Sequence, residues 1–328
     1  MDIRNGRALR SESSRILARF PNHQKFVLLW AGLSAALSVL LTLLTLVLDS
    51  GIAGTGGLSG VGLRSILVTA QSVLRLAFTL AAPFWGLGYV YGVLQYARGE
   101  QAGFPDLLQG FRRFGPGLRL MLLEGLLYGA LFLVCMNVGF SLLSLTPLAK
   151  PLLETLTPLM DTVAADPEMI LDETIMASLT QAMLPMLIGC TLIYLAALIP
   201  ISYRLRMAQF RLMDDPGCGA MEAIRESTRM TRGNCMALFK LDLGFWWFYL
   251  AEALFMIVLY GDVILTGLGI ALPFSSTVSS LLFSVLSLVL QLVLYFFVRN
   301  QVALTYTLAY RSLRPEPKEP PVPHPWSK

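Results

Sequence analysis

Four ionisable side chains stand inside or at the ends of long apolar runs: Glu252, Arg75, Asp242 and Glu124. A charge at the centre of a bilayer costs about 2.5 to 3.5 kcal/mol even on the lenient insertion scale, so such residues are the first candidates for function. Glu252 lies deepest, near the middle of its run. It could relay a proton or contact a cationic substrate, but a protonated or hydrogen-bonded contact between helices is the favoured interpretation.

The other three residues have simpler interpretations. Arg75 could pair with Glu252 if their helices touch, although extension of its side chain to the outer headgroups is favoured. Asp242 and Glu124 lie near the inner ends of their runs. For these two carboxylates we favour interfacial anchoring over catalysis.

Residues 203–248 form the only long passage from polar to apolar sequence with a definite internal pattern. Asp214 and Pro216 end whatever helix precedes them, because proline lacks an amide proton and restricts the residue before it. Small and apolar residues then recur at helical spacing, which predicts a helix from about Gly219 to Arg232.

The opposite face of this predicted helix is charged. It pairs acids with arginines at a spacing of three residues, Glu222 with Arg225 and Glu226 with Arg229, and it ends at Arg232. We expect the helix to lie along the inner membrane surface, with its small residues against a helix bundle. Arg225, Arg229 and Arg232 would then face lipid headgroups or a protein partner.

The same stretch resembles a known family. Its order of residues is similar to the signature of domain of unknown function 975, a family of uncharacterised bacterial integral membrane proteins: Asp214, Pro216, Glu222, Ala223, Ile224, Ser227, Gly233, Phe239, Leu241, Leu243 and Phe245. Residues 88–115 resemble that family's second helix and the cytosolic loop after it. The chain departs from the family pattern at Thr231, Cys235, Gly244 and Phe248. The resemblance implies a multi-helix membrane fold and no established activity.

The composition indicates that the bilayer is the solvent for most of the chain. Apolar residues make up 55% of the 328 residues, charged residues only 14%, and the mean hydropathy is +0.64. The basic residues are scattered over short loops, which argues against nucleic-acid binding. The four cysteines show no metal-ligand spacing, and we find no catalytic or nucleotide-binding motif in its required context. We therefore expect a protein without cofactor or metal that is not an enzyme.

Six apolar runs are long enough to cross a hydrocarbon core of about 30 Å. The six predicted spans are residues 26–48, 76–97, 120–145, 182–203, 238–260 and 276–298. Gly88 and Gly92 give the second span a small-residue contact face. Between the spans we expect a glycine-rich turn at residues 50–62 and a connector at residues 146–181, with a helix start at Asp166.

The placement of basic residues predicts the orientation. Of the 25 lysines and arginines, 22 lie at the two termini or in the connectors 98–119 and 204–240, and only Arg64, Arg75 and Lys150 lie on the other side. Because basic loops stay in the cytosol, both termini are predicted to be cytosolic, in the cytoplasmic membrane. The basic N-terminal segment and the first apolar run are expected to remain as an anchor.

We therefore predict an all-α polytopic protein with six transmembrane helices and a cytosolic amphipathic helix between the fourth and fifth. Residues 1–25 would be a basic cytosolic segment, 26–312 the transmembrane domain, and 313–328 a disordered proline-rich tail. The favoured function is non-enzymatic interaction with membrane lipids, including anionic ones, or with a protein partner. The alternative is a small transporter or permease for a small molecule or lipid, centred on Glu252.

Overall fold

The computed structural model describes residues 3–54, 61–165, 173–261, 265 and 276–314. Throughout these ranges the chain forms helices joined by turns and contains no strand, so the all-α prediction is confirmed. Three predictions lie wholly or partly outside them: the centre of the glycine-rich turn, the helix start at Asp166, and the disordered tail.

We number the helices in chain order. Their bounds are α1 Gly6–Ala18, α2 His23–Gly54, α3 Val61–Arg98, α4 Phe104–Leu107, α5 Gln109–Arg112, α6 Phe114–Leu143, α7 Lys150–Ala165, α8 Glu173–Leu205, α9 Ala208–Asp214, α10 Ala220–Thr231, α11 Cys235–Leu243, α12 Trp246–Leu259, α13 Ser276–Leu294 and α14 Asn300–Leu313. A π-helical turn, Tyr295–Arg299, joins α13 to α14.

Within the described residues, five helical stretches are long and apolar enough to cross a membrane: His23–Leu41, Arg64–Arg98, Phe114–Leu143, Gln181–Asp214 and Leu281–Leu313. A sixth span exists only if α11 and α12 are counted together, and these two helices meet at a bend of 70°. The fifth span predicted over residues 238–260 is therefore interrupted by a bend between Leu243 and Trp246. The count of six spans depends on the bent pair forming one crossing.

A side-chain hydrogen bond satisfies the backbone at the bend, and a second one crosses it. α11 ends at Gly244, whose carbonyl oxygen accepts a hydrogen bond of 2.7 Å from Arg10 Nη1. Across the bend, the Tyr249 hydroxyl on α12 donates to Asp242 Oδ1 on α11 at 2.8 Å. The backbone carbonyl that loses its helical partner thus gains an arginine, as a break inside an apolar segment requires.

The long helices expose apolar side chains, as expected of surfaces solvated by lipid. In each span-length window at most 17% of the residues are buried inside the protein. Leu126, Phe297 and Ile66, for example, are each more than 60% exposed. Such a surface would aggregate in water, and its extent exceeds the isolated apolar patches of soluble proteins.

The chain forms two compact units, Met1–Arg119 with Met207–Lys328, and Leu120–Arg206. In the first unit, α1 packs on α14 through buried Leu9 and Leu17, and the hydroxyl of Thr305 donates to that of Ser13 at 2.9 Å. The basic N-terminal segment thus contains a helix, α1, which is an integral part of this unit.

Gly88 and Gly92 do mark close approaches, as predicted. A Cβ on Gly88 would lie 1.8 Å from the Leu107 carbonyl oxygen, and one on Gly92 would lie 2.1 Å from the Phe26 ring. The Gly88 contact is made with the short helix α4 rather than with another span. The 98–119 connector is therefore folded back against α3.

The second unit consists of most of α6 with α7 and α8. Its small core holds Ala149, Leu152 and Met186. The connector predicted over residues 146–181 is largely helical where it is described, because α7 occupies Lys150–Ala165. The sequence had predicted a helix start only at Asp166 in this connector, so α7 was not expected.

Candidate functional site

Glu252 on α12 faces two side chains that follow α13. Arg299 Nη1 lies 3.6 Å from Glu252 Oε1, and the Tyr295 hydroxyl donates to the same oxygen at 3.3 Å. Gln291 Nε2 in turn donates to the Tyr295 hydroxyl at 3.1 Å. Both the carboxylate and the guanidinium side chains are about 30% exposed. The pair is loosely held rather than sealed in the core.

The π-helical turn carries both Tyr295 and Arg299, and single turns of this kind often occur at functional sites. The Arg299 guanidinium lies 5.3 Å from the Tyr295 ring centre and 5.6 Å from that of Trp30. The Trp30 and Tyr295 rings stack at 5.7 Å. Two aromatic faces therefore share the positive charge of Arg299.

Two nitrogens at this cluster are buried without a hydrogen-bond acceptor among the described residues, Arg299 Nε and Trp30 Nε1. A cavity of about 210 Å³ lies against Trp30, and its other polar lining residues are Ser34, Ser38, Gln291 and Tyr295. This volume suits a few water molecules or a small polar molecule. We call Glu252, Arg299, Tyr295, Gln291 and Trp30 the intramembrane cluster.

A second hydrogen-bond chain lies next to this cluster. The Tyr89 hydroxyl donates to Asn300 Oδ1 at 2.9 Å, and Asn300 Nδ2 is 3.1 Å from His23 Nδ1. His23, which the sequence places in the polar N-terminal segment, is thus the first residue of α2 and a partner of α14. Asn300 is only 4% exposed, so this chain satisfies a buried amide.

Sequence analysis did not single out Arg299, Tyr295 or Trp30 of the intramembrane cluster. Arg299 was counted only among the basic residues that follow the sixth predicted span. A signal was present, because Gln291, Tyr295 and Arg299 recur every four residues and so share one helical face. Nothing in the sequence indicated that this face would meet Glu252.

Arg75 and Asp242 take no part in this cluster, and Glu124 belongs to the second unit. Arg75 is exposed on α3 and has no ion-pair partner among the described residues, while Glu252 pairs instead with Arg299. Asp242 bonds Tyr249 across the bend. Glu124 is half-buried on α6 in the second unit, one turn before Tyr128.

Asp214, the first residue of the family signature, is the centre of an ion-pair network at the end of α9. Arg98 Nη2 from α3 lies 2.7 Å from Asp214 Oδ1, and Arg314 and the Tyr310 hydroxyl both donate to Oδ2, the tyrosine at 2.9 Å. Only 6% of the Asp214 side chain is exposed. The aspartate therefore joins α3, α9 and α14, and we call this set the Asp214 network.

A neighbouring set of charges closes the loop between α9 and α10. Arg211 pairs with Glu226 and also lies 3.0 Å from Asp215 Oδ2. The Gly217 amide donates to Asp215 Oδ1 at 2.9 Å, and this bond, together with Arg211, holds the pKa of Asp215 below its usual value. Glu226 is thus occupied by Arg211, and the spacing that suggested a pair with Arg229 is not used.

The helix predicted from about Gly219 to Arg232 is α10. Its buried face includes Ala220, Ala223, Ser227 and Met230. Arg225, Arg229 and Arg232 are exposed at spacings of four and three residues, and within the described chain none of them has a hydrogen-bond or ion-pair partner through its side chain. We call these three residues the arginine face.

Three signature residues serve the packing of α10. Ala223 and Ser227 are fully buried, and the Ser227 hydroxyl accepts a hydrogen bond of 3.2 Å from the Met207 amide. Gly233 has φ +82°, a left-handed conformation that glycine adopts without steric cost. These residues position the helix and contribute no reactive group.

The remaining signature residues are divided between surface and core. Pro216 and Glu222 are exposed in and after the turn that precedes α10, and Phe239 on α11 is 43% exposed. Phe245 is buried, and the Arg10 guanidinium lies 5.6 Å from its ring centre. Phe245 and Arg10 therefore hold α1 against the bend.

The described residues contain no group of three histidine, cysteine or carboxylate side chains that could hold a metal ion. Their four cysteines are free thiols, and three of them are buried. Burial raises the pKa of the Cys218 thiol, which disfavours the reactive thiolate.

The comparisons with known proteins give one match. No curated protein and no solved structure matches the chain. A family model matches residues 31–316, which covers the signature, the Asp214 network and the intramembrane cluster apart from Trp30. The chain accordingly belongs to the family described as Protein of unknown function (DUF975).

Proposed function

We propose that this chain is a non-enzymatic protein of the cytoplasmic membrane, with six spans and cytosolic termini, that binds anionic lipid headgroups through the arginine face of α10. The proposal counts α11 and α12 as one broken span. The distribution of lysine and arginine supports the orientation, because 22 of the 25 lie at the termini or in two connectors on the same predicted side.

The proposal depends on one observation: the arginines of the arginine face have no ion-pair partner among the described residues. Arg98, Arg211 and Arg314 nearby are engaged with carboxylates. Arg225 and Arg229, by contrast, are exposed and lack a partner within the described residues although acids lie on the same helix. Cations that a fold leaves unpaired are available to an external anion.

The apolar surroundings favour lipid over a soluble ligand. Met221 beside the arginines and Met236, Phe239 and Leu243 on α11 are between 43% and 65% exposed. A helix pair with free cations and exposed apolar side chains suits the headgroup boundary, where each basic residue near an anionic surface contributes about 1 kcal/mol.

The test reverses the charge of the arginine face. In nanodiscs of equal dioleoyl phosphatidylglycerol and dioleoyl phosphatidylcholine, the variant R225E/R229E/R232E should retain less phosphatidylglycerol than wild type in native mass spectrometry. The matched control is R64E/R75E/K150E, which reverses three exposed basic residues on the predicted outer side. Lipid retention, localisation and partner recovery that all match wild type would refute the proposal.

Recovery of a protein partner from cells, lost in R225E/R229E/R232E but not in the control, would assign the same face to protein rather than lipid. The proposed orientation is tested separately. A single cysteine introduced at position 225 should resist an impermeant thiol reagent in intact cells, whereas one at Lys150 should react. The reverse pattern would contradict cytosolic termini.

A second candidate function is small-molecule transport, favoured by the cavity of about 210 Å³ beside the intramembrane cluster. Glu252 is connected to this cavity through Tyr295, and Trp30, whose Nε1 is buried without an acceptor among the described residues, belongs to its lining. Native mass spectrometry should reveal a small molecule that Glu252→Gln loses and Glu124→Gln retains. If the wild-type protein carries no such molecule, or if both variants retain it, the proposal of transport through this cavity is refuted.

A further inference from the structure

A separate cavity of about 590 Å³ lies where α1, α3 and α14 meet at the end of α3. Its charged lining consists of Arg19, Arg98, Arg311 and Glu12. It uses none of the residues of the arginine face or of the intramembrane cluster. Its size is in the range of sites that hold small molecules.

The charge of this cavity is predominantly positive. Glu12 already has Arg15 at 3.8 Å, a second cation on the same helix. Arg98 uses Nη2 for Asp214 and one Nη1 hydrogen for Gln95 Oε1, and Arg311 uses Nη1 for the Ala97 carbonyl oxygen. Since a guanidinium has five N–H donors, both arginines keep donors for a further acceptor. Arg19 is exposed, and its side chain has no partner among the described residues.

Two helix C-termini lie at this cavity, but they repel an anion less than C-termini with unbonded carbonyl oxygens would. α1 and α3 both end here, and free carbonyl oxygens would repel negative charge. The last carbonyls are occupied: Ile16 and Leu17 accept from the amides of Arg19 and Phe20, and Ala97 accepts from Arg311. An anion would therefore meet guanidinium groups in preference to carbonyl oxygens.

The remaining wall is apolar and aromatic. The rings of Phe20 and Tyr96 lie 5.3 Å apart, centre to centre, and Ile16 and Leu308 adjoin them. Cationic donors on one side and aromatic faces on the other suit a molecule that carries both a phosphate and an apolar part, since arginine forks match phosphate oxygens.

We propose that this cavity binds a phosphate-bearing molecule, with Arg19, Arg98 and Arg311 donating to phosphate oxygens and Phe20 and Tyr96 packing on its apolar part. Two sources share this chemistry, the headgroup of an anionic lipid and a soluble phosphorylated metabolite. Each would be held at a site distinct from the arginine face.

The experiment uses the full chain in neutral detergent. Adenosine monophosphate represents the soluble source, dioleoyl phosphatidic acid in mixed micelles represents the lipid source, and adenosine is the control without phosphate. Binding is measured by native mass spectrometry and by the midpoint of thermal unfolding. We expect one phosphorylated probe to bind and adenosine to bind at least tenfold more weakly, because it lacks the charge-assisted bonds.

Arg19→Gln is the test variant, because the exposed, unpartnered side chain can be changed without disturbing the fold. It should weaken binding about tenfold, whereas Arg7→Gln, also exposed on α1, should leave binding unchanged. The triple variant R225E/R229E/R232E should also bind normally, which separates this site from the arginine face. Binding of adenosine monophosphate assigns the soluble source, and binding of phosphatidic acid alone assigns the lipid.

Three outcomes would overturn the proposal. The first is that neither phosphorylated probe binds the wild-type chain. The second is that the Arg19→Gln variant binds the probe as well as the Arg7→Gln variant does. In the third, R225E/R229E/R232E abolishes binding as completely as Arg19→Gln, which would indicate general surface attraction instead of a site in this cavity.

Discussion

Asp214 and Glu252 are both carboxylates that join helices, yet the protein treats them differently. Asp214 receives two arginines and a tyrosine and is 6% exposed, whereas Glu252 has one arginine at 3.6 Å and one hydroxyl at 3.3 Å and is 30% exposed. The tighter site holds three helices together. The looser site adjoins a cavity and keeps unused donors, so it has the freedom that binding or gating requires.

Among the changes that test this comparison, removal of the Asp214 carboxylate should have the largest effect. Asp214→Ala should lower the free energy of unfolding by roughly 3 kcal/mol, because two arginines and the buried Tyr310 hydroxyl lose their acceptor. Unfolding in detergent, followed by tryptophan fluorescence, measures the loss. Asp215→Ala is the control, since its side chain is 37% exposed. Equal effects of the two variants would mean that the Asp214 network is not structural.

A double-mutant cycle tests whether Glu252 and Arg299 act as a pair. Glu252→Gln and Arg299→Gln should show a coupling of about 1 kcal/mol, because each change leaves the other charge unneutralised in an apolar segment. The same cycle with Arg75→Gln should be additive. If Glu252 were coupled to Arg75 and not to Arg299, Arg299 would not be the ion-pair partner of Glu252.

Removal of the tyrosine hydroxyl at each site tests the same comparison with a smaller expected loss of stability. Tyr310→Phe should lower the free energy of unfolding by about 1 kcal/mol, since the buried Tyr310 loses a 2.9 Å bond to a carboxylate. Tyr295→Phe should cost roughly half as much, because its bond to Glu252 is longer and less buried. Thermal unfolding of both variants checks the order. A larger loss for Tyr295→Phe would reverse the assignment of tight and loose sites.

The smallest expected effect concerns pH. The pKa of Asp215 is lowered in the folded protein from its ordinary value of 3.8, chiefly by the Gly217 amide. Its contribution is therefore complete above that ordinary value and is lost as pH falls through the folded pKa. Asp215→Asn should flatten the acid side of the stability profile slightly, measured between pH 3 and 6. An unchanged profile would show that this bond contributes nothing.

The bundle was largely predictable from sequence, because apolar length and helical spacing are local properties. Three of the predicted spans lie within single long helices, a fourth ends two residues beyond α6, and α10 runs from Ala220 to Thr231 close to the predicted bounds. The bend at Gly244 was not predicted. It depends on Arg10, more than 230 residues away, which supplies the donor for the freed carbonyl.

The candidate site was predictable only in part for the same reason. Glu252 was identified from its position inside an apolar run, but its partner is determined by helix packing: the sequence suggested Arg75, whereas the structure pairs Glu252 with Arg299. Likewise the signature residues around Asp214 were visible as a motif. Their structural role became apparent only when Arg98, Tyr310 and Arg314 were seen around the carboxylate.

The docking of α1 on α14 has a consequence for synthesis. Ser13 leaves the ribosome early, and its partner Thr305 is translated 292 residues later. At roughly 5 to 20 residues per second the first helix waits about 15 to 60 s before its binding surface exists. During that interval another surface, such as the membrane or a chaperone, must cover its apolar face, which includes Leu9 and Leu17. Truncation shortly before α14 should therefore leave the beginning of the chain exposed to proteases as well as its end.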